Sequence, residues 1–171
     1  MGAITKVIDT MLFLNFIIMA LAVPLMSGQL CLPLKLYPKF LINLMKWYSH
    51  EFGDHLYSHN PPNYFRGISW WDLLFHFPLV CLGLYGILGA KPWFNTVCLM
   101  YGASISATMA AIIGDFCGAG KGSDTIMLGY YPFFGVGILA MLRGLLPPSA
   151  KPSASASAMV NGNAPSTKKL A

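Results

Sequence analysis

Four stretches of this chain stay apolar for about twenty residues or more, and a shorter fifth mixes apolar and polar positions at helical spacing. The long stretches are residues 5–28, 70–90, 92–116 and 125–146. At about 1.5 Å of rise per residue, each can cross a hydrocarbon core about 30 Å thick. In the fifth stretch, 39–52, Phe40, Leu41, Leu44, Met45, Tyr48 and Phe52 recur on one side, with Asn43, Lys46, Ser49 and His50 between them. It is too short and too polar to span. It reads as a helix at the membrane interface, with Trp47 and Tyr48 as aromatic anchors and Gly53 as its stop. The pattern therefore predicts an all-α fold: a four-transmembrane-helix bundle with an interfacial amphipathic helix between helices 1 and 2.

Breakers refine the picture. Pro24 is expected to kink or end the first span, and Pro78 to kink the second. Gly83, Gly86 and Gly89 allow close helix approach, and the third span is rich in Gly, Ala, Ser and Thr, a packing composition. The turn at Lys91-Pro92 is short enough to make spans two and three antiparallel neighbours. Gly129, Pro132, Gly135 and Gly137 predict a break in the first half of span four. Residues 149–167, rich in Ser, Ala, Pro, Gly and Asn, cannot build a core and read as a disordered tail. The chain thus divides into a membrane domain, 1–148, and a tail, 149–171.

Composition agrees with the membrane reading. Of 171 residues 56% are hydrophobic and only 10% charged, where soluble domains carry roughly 25%. The net charge of +5 comes from scattered basic residues rather than a stripe, so nucleic acid is not an implied partner. Cys31, Cys81, Cys98 and Cys117 lack zinc spacing, and no metal or cofactor is implied. Cys31 and Cys117 fall on one membrane side, which leaves a disulfide open if that side is oxidising. The glycine-rich run from Gly118 to Ser123 lacks the full spacing of a phosphate loop and follows no strand. The first span is too long for a signal h-region and lacks a cleavage site. Lys168 and Lys169, fourth and third from the end, match the dilysine retrieval signal of endoplasmic reticulum membrane proteins. That signal places the tail in the cytosol and, with four spans, the N-terminus as well. Basic residues divide too evenly between the two sides to set orientation themselves.

Candidate chemistry lies in the acids. Asp72 and His76 sit inside the second span, four apart and so on one helical face. A carboxylate at membrane depth must face protein, water or a partner. Asp72 enters from the luminal side, where Asp54 of the connector also lies, and Asp115 ends span three. If the amphipathic helix folds back over the bundle, Asp54 and Asp72 share an apolar, aromatic-lined cavity with His76 deeper on the same face. Such a pocket suits an apolar ligand with one polar or cationic group, and Trp70, Trp71, Tyr130 and Tyr131 are candidates to face it. The plain alternative is that Asp72 and His76 pair only to hold helices together.

Leu36-Tyr37-Pro38, Asn43-Leu44-Met45-Lys46-Trp47-Tyr48, Glu51-Phe52-x-Asp54, Pro61-Pro62, Asp72-Leu73-Leu74-Phe75 and Pro78 follow in an order that resembles the sigma-2 receptor family of the EXPERA domain superfamily. The similarity covers about residues 7–144. The resemblance implies an endoplasmic reticulum membrane protein, often dimeric, whose pocket opens toward the membrane and takes sterols and cationic amphiphiles. It also implies a role in sterol homeostasis, a Niemann–Pick type C sterol transporter as partner, and kinship with the emopamil-binding sterol isomerase. By the same resemblance Asp54 matches the family's acid after Glu-Phe, and Asp72 its span-two Glu. His76 stands where Gln is usual, while Thr108 and Tyr130 match pocket residues. Ser27, in Met26-Ser27-Gly28-Gln29, replaces the acid that pairs with ligand ammonium groups. A neutral sterol is less affected, since Ser27 can hydrogen-bond a hydroxyl. Two roles follow: a non-catalytic sterol-binding or trafficking protein, or a sterol Δ8–Δ7 isomerase in which Asp72, His76 and Asp54 move protons. A purely structural membrane adaptor is the third reading.

Overall fold

The computed structural model describes residues 3–58, 60–120 and 124–146. Among these, every regular element is helical. The tail 149–171, with Lys168 and Lys169, lies outside the described residues, as does most of the glycine-rich run after Gly120. Four long helices, α1 (Ala3–Cys31), α3 (Asn63–Leu88), α4 (Phe94–Gly118) and α5 (Asp124–Leu145), are each long and apolar enough to span a membrane. The amphipathic helix α2 (Lys39–Phe52) lies between the first two and ends at Gly53, whose φ of 65° is the left-handed conformation that glycine adopts at no steric cost. The spans form a closed ring of neighbours: α1 packs on α3, α3 on α4, α4 on α5 and α5 back on α1.

The outside of this ring is apolar. Leu74, Leu88 and Leu128 are each more than 70% exposed. A surface so hydrophobic along four spanning-length helices belongs in lipid. The inside is stitched by polar links, since helices in lipid gain little from hydrophobic contact with one another. Tyr101 of α4 donates to Asn15 of α1 at 2.9 Å, both buried. At one end of the bundle Arg143 of α5 donates through Nε to Asp9 of α1 at 2.6 Å and through Nη1 to Asn95 of α4 at 2.9 Å.

Several boundaries differ from the sequence reading. α1 runs past Pro24 to Cys31 through a π turn, Val23–Ser27. α3 begins at Asn63 rather than residue 70 and carries a second π turn, Asp72–His76, just before Pro78. Each wide turn sits beside a proline, absorbing the missing N–H and the ring clash without ending the helix. The extra turns of α3 contain Arg66 and other polar residues, which break an apolar run but not a hydrogen-bond ladder. α5 is unbroken across Pro132. Cys31 and Cys117 are free thiols, so the disulfide left open by sequence is not formed. The glycines that matter most for close packing lie between α4 and α5, where a Cβ at Gly137 would sit 2.6 Å from Ser106 Oγ and one at Gly144 2.6 Å from Leu99 N. In α3, Gly83 makes room for the Phe16 ring.

Candidate functional site

The two π turns face each other across the α1–α3 interface. Each adds a residue to its turn and so alters which side chains face inward. In this arrangement Ser27 Oγ donates to Asp72 Oδ2 at 3.1 Å. The other carboxylate oxygen, Oδ1, lies 2.7 Å from His76 Nδ1. His76 is fully buried, and its Nε2 lies 2.8 Å from Ser104 Oγ of α4, which also accepts the Trp71 indole N–H at 2.8 Å. A carboxylate can only accept, so Nδ1 carries the proton toward Asp72, and the Ser104 hydroxyl can donate to Nε2. The i,i+4 spacing of Asp72 and His76 thus forms a contact, and its far side is tied to α4.

Beside this cluster is a cavity of about 640 Å³. Its walls come from α1, α2, α4 and α5, with Phe65 and Asp72 contributed by α3. The lining is overwhelmingly apolar, including Met109, Ile112 and Phe133, and its polar groups gather in one region: Ser27, Gln29, Tyr48, Tyr57, Asp72 and Tyr130. Ile18, Leu21, Leu25 and Leu44 line it too, yet are also exposed, so the opening lies among side chains that belong in lipid.

Asp54 is placed differently from the sequence expectation. It is fully buried and does not line the cavity. Its Oδ1 accepts the Leu56 N–H at 3.0 Å, capping the short 3-10 turn His55–Tyr57, and its Oδ2 accepts the Tyr130 hydroxyl at 2.7 Å. Asp54 therefore stands behind Tyr130, whose ring forms the wall. The two acids are separated by tyrosines rather than sharing open space. His55 next door lies 2.8 Å from Asp115 at the end of α4, fastening the connector over this end of the bundle. His76 also lies behind the wall, held there by Asp72. Thr108 bonds back to the carbonyls of Ser104 and Ile105 and does not line the cavity. Of the four candidate aromatics only Tyr130 does; Trp70, Trp71 and Tyr131 lie at the outer surface, about half exposed.

Tyr48 and Tyr57 are the residues that sequence reasoning missed as cavity groups. Burial, then the Asp54 charge, pushes the Tyr48 hydroxyl up to about 12. Burial, then Asp72, then Asp54, raises Tyr57 as well. Both remain protonated at neutral pH and are available as donors. Tyr48 was legible only as part of an amphipathic face, and nothing in local spacing ties Tyr57 to Asp72.

Residues 40–144 match the sequence model of the family described as EXPERA (EXPanded EBP superfamily). The chain is 31% identical over 137 residues to the Sigma intracellular receptor 2 of Xenopus tropicalis, covering 72% of this chain and 80% of that one. It is 34% identical over 92 residues to the Sigma intracellular receptor 2 of Macaca fascicularis and of Homo sapiens, covering 53% of this chain and 52% of each relative.

Proposed function

Since the chain belongs to the EXPERA superfamily, in its sigma-2 receptor family, we propose that it is a multi-pass endoplasmic reticulum membrane protein that binds sterols or related amphiphiles. The carrying observation is the 640 Å³ cavity, apolar except around Asp72. That volume lies within the range of about 300–1,000 Å³ usual for small-ligand pockets. Its opening among lipid-facing side chains supports entry from the bilayer, with the ring system against Met109 and Ile112 and the polar end at Asp72, Ser27 and Tyr57. The ligand then serves sterol homeostasis or trafficking, with a Niemann–Pick type C-like transporter or a second copy of the chain as partner. Lys168 and Lys169 act as the retrieval signal, with both termini cytosolic.

The test is photo-crosslinking of a clickable sterol probe to the purified full chain. Competition by unlabelled sterol and loss of most labelling in Asp72→Asn, with thermal unfolding unchanged within a few degrees, are the expected results. Labelling indifferent to competitor and to Asp72 would sink the reading.

The isomerase reading is favoured by one feature, the Asp72–His76–Ser104 chain, which offers a proton route to the cavity wall. Isomerisation needs a proton delivered to an alkene and a neighbouring one removed. Rescue of a yeast strain lacking sterol Δ8–Δ7 isomerase would establish it, and absence of rescue would leave the binding role.

A further inference from the structure

A second, smaller hollow of about 200 Å³ lies next to the main cavity, against an adjoining face of α2. Gln29, Met45 and Tyr57 line both, so the two adjoin. The small hollow has a different chemistry. Two cations border it, Lys46 from α2 and Arg66 from the first turns of α3, together with the Ser58 hydroxyl. Gln29 and Tyr57 add polar atoms, and the rest is apolar, with Leu30, Leu34 and Ile42 from the end of α1, the connector and α2.

The charges there are uncompensated. The chain has six acids, and none of the six lines the hollow. Four have partners elsewhere: Asp9 binds Arg143, Asp54 binds Tyr130, Asp72 binds His76 and Asp115 binds His55. Among the described residues neither Lys46 nor Arg66 makes an ion pair. Both are exposed. They come from separate elements that converge only in the folded chain. Two cations bordering one hollow, next to an apolar surface, are stabilised by an anion whose other end is apolar. The location specifies the source. α2 is the interfacial helix, its exposed side carrying Phe40, Leu44 and Trp47, so the hollow sits where headgroups meet acyl chains.

We infer that the hollow between α2 and the start of α3 is a binding site for an anionic phospholipid, with its phosphate on Lys46 and Arg66 and an acyl chain along Leu30 and Leu34. Its two cations stand apart from the sterol reading, because neither lines the main cavity, although the two hollows share Gln29, Met45 and Tyr57.

The experiment uses the purified full chain in a neutral detergent, followed by tryptophan fluorescence. It is titrated with dioctanoylphosphatidylglycerol, dioctanoylphosphatidylcholine, dioctanoylglycerol and glycerol phosphate. Saturable binding of the phosphatidylglycerol is expected, with the other three markedly weaker. K46Q/R66Q should weaken it roughly thirtyfold, each cation contributing about fivefold. K46R/R66K should retain binding, and K46Q/R66Q should keep its thermal unfolding within a few degrees and its sterol-probe labelling. Equal binding of the phosphate-free lipid would mean a merely greasy surface, and equal binding of glycerol phosphate a free-anion site. Equal binding of phosphatidylcholine, or no change in K46Q/R66Q, would likewise overturn the assignment.

Discussion

At the residue scale, the acidic groups within the helices and connector divide by what they face. Asp72 borders open space, Asp54 is spent on a tyrosine and a backbone cap, and Asp9 is committed to Arg143. The Arg143 guanidinium is almost fully buried and also lies 5.5 Å from the Phe94 ring centroid, so it holds α1, α4 and α5 together at one end. Replacing it by a neutral side chain of similar length strands the Asp9 carboxylate. Arg143→Met is expected to cost about 3 kcal/mol, while Asp9→Leu combined with Arg143→Met recovers most of that loss. Unfolding of the three proteins in detergent checks it. A pair that served only as surface decoration would leave the single variant unchanged. From sequence, Arg143 was visible only as one basic residue near the end of a span. Its partner lies 134 positions away, beyond any local pattern.

At the element scale, two devices shape the bundle. Small residues bring α4 and α5 together backbone to backbone. Gly137→Val forces a branched side chain against Ser106 and Ile105 and should cost about 1–3 kcal/mol. Gly135→Ala, two residues away, has nothing within 4 Å and should be neutral or stabilising by up to about 1 kcal/mol. Comparing the midpoints of thermal unfolding separates a packing contact from a general dislike of substitution in α5. The other device is the pair of π turns. The prolines that accompany them were legible and announced distortion. That both distortions would be wide turns rather than breaks depended on the neighbouring helix supplying contacts and on Phe77 N–H reaching back to the Asp72 carbonyl. The amphipathic helix α2 was legible to the residue because its periodicity and its glycine stop are both local signals.

At the scale of the whole molecule, four apolar spans and one interfacial helix enclose a hollow with a single polar corner. A ligand that fills it stabilises the folded chain by mass action, by about 2.7 kcal/mol at a hundredfold excess over its Kd. Sterol should therefore raise the unfolding midpoint of the protein in detergent. Met109→Trp, which puts an indole into the apolar part of the cavity without touching Asp72, should abolish that rise while leaving the unliganded midpoint near its original value. A rise that persists in Met109→Trp would place the sterol elsewhere on the molecule.

Sequence by itself determined the number and nature of the spanning helices, the interfacial helix and its end, and the presence of a carboxylate and an imidazole at membrane depth. These follow from length, periodicity and composition, which act along the chain. Only the tertiary structure decided which polar groups meet the cavity. Ser27 reaches Asp72 across 45 positions, Tyr130 covers Asp54 across 76, and Lys46 and Arg66 converge from different helices. Such pairings depend on how helices rotate against one another, and in a bilayer small-residue packing and a few hydrogen bonds set that rotation.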